Sequence, residues 1–254
     1  IYGTSAGFFP LSHTWSLAIE EQWYLVWPLA MGALLALIGR HVHRIAVVAV
    51  GLALASAALM AALYEPGHTA RSYFGTDTRT LALLLGAGLG LFLLDRGPPT
   101  RAATRHVLEV AGIVGFGALV WMIASPPSES TMYRGGFLVA AALASIMIAA
   151  AVQPHSPVLR PVLAWKPLVA LGLISYAVYL FHVPLYFWIS PDVVGSNGSL
   201  LFGARVAVTL VLAIASYYLL EMPIRRGRWS SHATFAAAAG ASAIVAVVLL
   251  LTTV

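Results

Sequence analysis

Cysteine is absent from the 254 residues. Its absence excludes disulfides, thiolate nucleophiles and cysteine metal sites, and gives no reading of the redox compartment. Charge is scarce as well: Asp, Glu, Lys and Arg make up 9% of the chain, against about a quarter in an ordinary soluble domain. No glycine-rich phosphate loop, HExxH pattern or nucleophile elbow occurs. No internal repeat or low-complexity linker stands out, and no metal site is expected. What fills the chain instead is hydrophobic residues, 60% of it. The solvent they are suited to is a bilayer.

Repeated apolar stretches approach the ~20 residues needed to cross ~30 Å of hydrocarbon. They predict an all-α, polytopic transmembrane helix bundle of about eight spans: Trp15–Ile38, Ile45–Tyr64, Thr80–Leu94, Val107–Ala124, Gly135–Val152, Leu168–Ile189, Leu200–Leu220 and Phe235–Val254. Residues 1–228 read as one partial transmembrane domain, and 229–254 as an additional helix. Pro28 and Pro184 fall inside spans, where each is expected to kink its helix and free a carbonyl. The run LLLGAGLG in the third span offers small residues for close helix approach. Trp23 and Trp27 are expected to pack in the core.

The basic residues separate by side. Arg40, Arg44, Arg96, Arg101, Arg105, Arg160, Lys166, Arg225, Arg226 and Arg228 fall on alternate connections. Only Arg71, Arg79, Arg134 and Arg205 fall on the others, which is four of the fourteen Lys and Arg. The positive-inside rule makes the rich side cytoplasmic and turns both ends of the chain outward. The net charge of +5 is then a topology signal, and no nucleic-acid partner is expected. An integral membrane protein in contact with lipid fits this pattern.

Ionisable groups within the spans are costly unless they line a cavity, pair or do chemistry. Glu20 and Glu21 lie about 8–9 Å below the outer face at 1.5 Å per residue, and His182 lies roughly 10 Å below it. They share a depth. Ser175, Tyr179, His182 and Tyr186 recur at helical spacing on one face. A carboxylate orienting an imidazole, or accepting a proton itself, is one reading; a structural hydrogen-bond network is the other. His13 stands above the first span, within reach of the same depth or solvated. Asp77 and Arg79 either pair with each other or leave Arg79 to bind an anionic or polyhydroxylated ligand. Arg225 and Arg226 serve topology, or attract a phosphate-rich donor.

The stretch HTWSLAIEEQWYLVWPL, from His13 to Leu29, resembles the signature of membrane-bound acyltransferase family 3. GTDTRTLALLLGAGLG, LGLISYAVYLFHVPLY and YYLLEMPIRR resemble further segments of that family, in its order. The resemblance implies transfer of an acyl group, expected as acetyl, from acyl-CoA to an extracytoplasmic glycan. It implies a donor substrate and no permanently bound cofactor. Over the matching motifs it makes Glu20, Glu21 and His182 the catalytic candidates. His13, Trp15, Ser16, Tyr24, Asp77, Arg79 and Tyr179 become substrate-binding candidates, and Arg225 and Arg226 donor-binding ones. Family members carry an earlier helix with a basic residue and a histidine. The chain is therefore expected to be an inactive piece of a longer protein, whose C-terminus bears an esterase-type extracytoplasmic domain. The competing class is a polar-lined exporter of a glycan or lipid; dependence on acyl-CoA separates the two.

The charge asymmetry yields a labelling prediction. A cysteine at Ser128 is expected to react with an impermeant maleimide in intact cells, and one at Thr104 only after permeabilisation. The opposite pattern would invert the topology.

Overall fold

The computed structural model describes residues 12–227. Among them no strand occurs, and seven helices are long and apolar enough to cross a membrane. The expected span Phe235–Val254, and with it the boundary after residue 228, lies outside the described residues. The spanning helices are α1 (Trp15–Ile38), α2 (Val42–Ala62) and α4 (Thr76–Arg96), the last preceded by a short α3 (Ala70–Phe74). Next come α5 (Ala102–Ala124) and α6 (Glu129–Val152), then a short α7 (Leu159–Leu163). The long α8 (Lys166–Trp188), a short α9 (Pro191–Val194) and α10 (Ser199–Arg225) complete the order. By contact the described residues divide into two compact units, Thr14–Val169 and a second formed by residues 12–13 together with residues 170–227.

In the first unit α2 and α4 run antiparallel. The buried face of α2 is a stripe of Ala46, Ala49, Ala53 and Ser56, spaced by three and four residues, which keeps the helices close. A Cβ on Gly88 of α4 would lie 2.9 Å from Val50 Cγ2 and 3.4 Å from the Ala46 carbonyl. Of the small residues in the LLLGAGLG run, Gly88 makes the close approach, while Gly86 and Gly90 face open space. At the other end of the pair, Met60, Tyr64 and Leu81 pack with Tyr133 of α6.

A second crossing joins α5 to α6 through Gly112 and Gly115. A Cβ on Gly112 would overlap Ala150 Cβ and lie 2.9 Å from Leu159 Cδ2. Beside this crossing sits a group that sequence reading did not single out. Glu109, 5% exposed, accepts hydrogen bonds from the peptide nitrogens of Val158 and Leu159, both at 2.9 Å. The carboxylate answers donors at the start of α7 that have no partner within that helix.

In the second unit α8 packs on α10 through Ile174, Ala177, Ala213 and Tyr217. Arg205 of α10 donates from Nε to the Ile189 carbonyl at 3.0 Å and from Nη2 to the Tyr186 carbonyl at 2.9 Å. Its guanidinium lies 4.0 Å from the Tyr186 ring centre. A cation at the carbonyl end of a helix is favourable both for the orphan carbonyls and for the helix dipole.

Pro28 and Pro184 lie inside α1 and α8, and neither helix ends there. Two expectations need amending. Trp23 and Trp27 stack on each other, 4.8 Å apart at 14°, and stay half-buried, because Ile19 is the one buried residue described in α1. The segment ESTMYR, ahead of the expected span Gly135–Val152, is the first part of α6: Ser128 accepts from the Thr131 nitrogen at 3.3 Å, and a π-helical turn spans Met132–Gly136.

Overpacking a close crossing costs about 1–3 kcal/mol. Gly112→Val is expected to lower unfolding stability in detergent by that order. Gly117→Ala, on the same helix but facing open space, is expected to be neutral or to stabilise by up to ~1 kcal/mol. Equal effects of the two would contradict the crossing.

Candidate active site

Ser12–Thr14 form a single 3₁₀ turn ahead of α1. It presents His13, 6% exposed, to the face of α8 that carries Tyr179 and His182. The ring centres form a near-equilateral triangle: His13 to Tyr179 5.3 Å, His13 to His182 5.4 Å and Tyr179 to His182 5.5 Å. All three contacts are edge-on or tilted, the arrangement that ring quadrupoles favour. The Tyr179 hydroxyl donates to the main-chain carbonyl of His13 at 2.7 Å. That bond ties the turn to α8.

His182 Nδ1 lies 2.6 Å from the Tyr179 carbonyl, one turn back on its own helix. A carbonyl can only accept, so Nδ1 carries the proton. In the neutral ring the basic lone pair therefore sits on Nε2. This is the division of labour a general base needs, one nitrogen holding the ring in place and the other open to a proton. Ser175, on the same sequence stripe, spends its hydroxyl on the Gly172 carbonyl at 2.8 Å. Tyr186 lies under Arg205.

A second constellation, within the unit Thr14–Val169, surrounds Arg79. Its guanidinium carbon lies 5.2 Å from the Trp15 ring centre, 4.5 Å from Tyr73 and 4.8 Å from Phe137. Such cation–π contacts contribute from about 0.5 to 2 kcal/mol each, most where water is excluded. Tyr133 extends the aromatic wall, stacked on Tyr64 at 5.0 Å and edge-on to Phe137 at 5.5 Å. It is carried on the π-helical turn of α6, where Gly135 adopts φ 146°, a conformation suited to glycine. The start of α4 is fixed by the buried Thr78, whose hydroxyl donates to the Ser72 and Gly75 carbonyls, both at 2.9 Å.

Asp77 pairs with Arg71 and not with Arg79, through a two-pronged contact of 2.9 and 2.6 Å. The pair closes over Gly75, where a Cβ would overlap the Arg71 guanidinium. The structure thus brings His13, Tyr179 and His182 together, and Trp15 with Arg79. Ser16 is half-buried in the first turn of α1; Glu20 is half-buried, and Glu21 and Tyr24 are exposed. Among the described residues neither glutamate has a hydrogen-bond or ion-pair partner. Gln22, next in line, accepts from the Thr76 hydroxyl at 3.0 Å. Arg225 pairs with Glu221 one turn back at 3.0 Å, and Arg226 is exposed. Sequence reading missed Arg71, Tyr73, Tyr133 and Phe137. The aromatic residues carry no periodic signal, and the Arg71–Asp77 pair depends on the break at Gly75.

The family described as an acyltransferase domain matches residues 2–251. The chain is 38% identical over 228 residues to a putative peptidoglycan O-acetyltransferase of Bacillus subtilis, covering 85% of this chain and 35% of that protein. It is 35% identical over 228 residues to a peptidoglycan O-acetyltransferase of Listeria monocytogenes, covering 88% and 36%. A putative O-acetyltransferase of Staphylococcus aureus is 32% identical over 232 residues, covering 89% and 38%. The chain spans about a third of the length of these curated relatives. No solved structure matches it.

Losing one hydrogen bond costs about 0.5–1.5 kcal/mol. Tyr179→Phe, which keeps the ring, is expected to destabilise by that order and to raise the reactivity of His13 toward diethylpyrocarbonate, read by mass spectrometry. Unchanged His13 reactivity would mean that the tether does not hold the turn.

Proposed function

The chain belongs to the acyltransferase family whose domain spans residues 2–251, and from that membership we propose that it moves an acetyl group to a hydroxyl of an envelope carbohydrate. Peptidoglycan is the acceptor favoured by the names of its relatives. The donor in this reading is acyl-CoA on the basic side of the membrane, with the acceptor on the opposite side. The membrane is the bacterial plasma membrane.

The observation that carries the reading is the pairing of His13 with His182, with His182 Nδ1 held by the Tyr179 carbonyl. In the proposed reaction Nε2 of His182 takes the proton from the acceptor hydroxyl. The hydroxyl oxygen bonds to the acyl carbonyl carbon as the bond from that carbon to the CoA sulfur breaks. The thiolate leaves with the donor and takes up a proton from solvent. His13, in its protonated form, donates to the oxyanion that develops on the carbonyl oxygen. Tyr179 is a positioning residue, acting through the His13 main chain.

Arg79 is assigned to the acceptor. The ring cage restricts the guanidinium, and a planar fork of donors suits vicinal hydroxyls. Trp15 is part of that cage, Ser16 follows it in the chain, and Asp77 holds the turn that leads to Arg79. Glu20 and Glu21 supply carboxylates at the depth expected for His182. Arg225 and Arg226 supply positive charge for the donor phosphates.

Replacing a general base costs ~10²–10⁴-fold in rate. His182→Ala in the full-length protein is expected to lower alkali-labile acetate on purified peptidoglycan by that order, at unchanged membrane abundance. His13→Ala is expected to do so to a lesser extent. Near-normal acetylation by His182→Ala would overturn the assignment, and loss of the protein itself would assign the ring cluster to folding.

A further inference from the structure

Between α2, α4 and α6 runs a groove of about 440 Å³ that the acyl-transfer reading does not use. Its walls are Val47 and Val50 of α2 and Leu85, Leu89 and Phe92 of α4, with Ser145 of α6 also on the lining. The Ser145 hydroxyl turns back to its own helix, donating to the Ala141 carbonyl at 2.8 Å, so the lining is apolar. Val47 is 69% exposed and Phe92 51% exposed, which leaves the groove open along its length.

One end has the opposite character. His43 and Arg96 line it. Arg96 reaches Asp95 through Nε alone, at 3.5 Å, and its side chain stays 70% exposed. His43 belongs to the first turn of α2, whose N-cap residue His41 makes no side-chain capping bond. The positive end of a 21-residue helix therefore adds its dipole to the two side chains. Arg40 and Arg44 neighbour them in the chain.

We propose that this groove holds one acyl chain of an anionic phospholipid, with the phosphate on Arg96 and His43. Three observations converge on that occupant. Both walls belong to helices long and apolar enough to cross a membrane, so the groove lies at the depth of the hydrocarbon. From Leu85 to Arg96 the groove follows α4 for about 16 Å at 1.5 Å per residue, which matches the ~15 Å of hydrocarbon in one leaflet. The cationic residues sit at one end only, where the headgroup of a lipid in that leaflet lies, and basic pockets between spanning helices favour anionic headgroups. A neutral lipid satisfies the walls but leaves the cationic end with Asp95 alone as counter-charge, 3.5 Å from Arg96.

The test uses the full-length protein extracted from membranes containing phosphatidylglycerol and phosphatidylcholine, with retained lipid counted by native mass spectrometry. Wild type is expected to retain phosphatidylglycerol selectively. Arg96→Gln is expected to cut that selectivity about five-fold, the weight of one cation near a lipid surface. Val47→Trp, a change at an exposed position that fills the groove, is expected to abolish retention of both lipids. Equal retention of the two lipids by wild type would overturn the proposal. So would retention that ignores both substitutions, or displacement of the retained lipid by micromolar long-chain acyl-CoA, which would make the groove a donor site.

Discussion

Hydrocarbon offers no partner to a polar group, so burying a polar side chain among these helices is costly unless another part of the protein meets it. Glu109 is met by two peptide N–H groups at the start of α7. Arg205 is met by the last carbonyls of α8, and the Tyr179 hydroxyl by the carbonyl of His13. In each case the partner belongs to a different element, so the bond also fixes a joint. A made bond contributes only about 0.5–1.5 kcal/mol, whereas a buried group left unmet costs about 1–3 kcal/mol. The asymmetry selects against alternative packings more strongly than it stabilises this one.

Between the joints, contact is set by the absence of side chains. Water does not drive one apolar helix against another inside a bilayer, so close packing has to do it. Gly88 against Ala46 and Val50, and Gly112 against Ala150, are places of close helix approach. Large rings gather instead around Tyr73, Tyr133 and Phe137, and the Arg79 guanidinium lies among them. Small residues thus make the close crossings of the unit Thr14–Val169, and large ones the cage around Arg79.

Hydropathy alone located α1 to its end residues and placed the other described spans with offsets of up to six positions at an end. That is legible because the bilayer imposes one length on every span. The interruptions were not. The break at Gly75 rests on an Arg71–Asp77 pair folded across it, and the π-helical turn before Phe137 rests on Tyr133 stacking against Tyr64. Such features depend on which distant residue arrives opposite, and hydrophobic periodicity carries no trace of that. Glu109 gave no signal in the sequence because its partners are peptide nitrogens, which every sequence has.

The candidate site divides along the same line. Tyr179 and His182 could be read as one face because they share a helix, and helical spacing is local information. His13 entered the sequence reading as a residue within reach of the same depth and, through the resemblance, as a substrate-binding candidate. Its capture by Tyr179 joins positions 166 apart, and the donor's partner is again a main-chain carbonyl. The tautomer of His182 follows from a main-chain carbonyl too. In both, the side chain that sequence can identify is directed by backbone that it cannot. Residue type therefore shows which groups are able to exchange a proton, and the backbone they are tied to decides which nitrogen carries it.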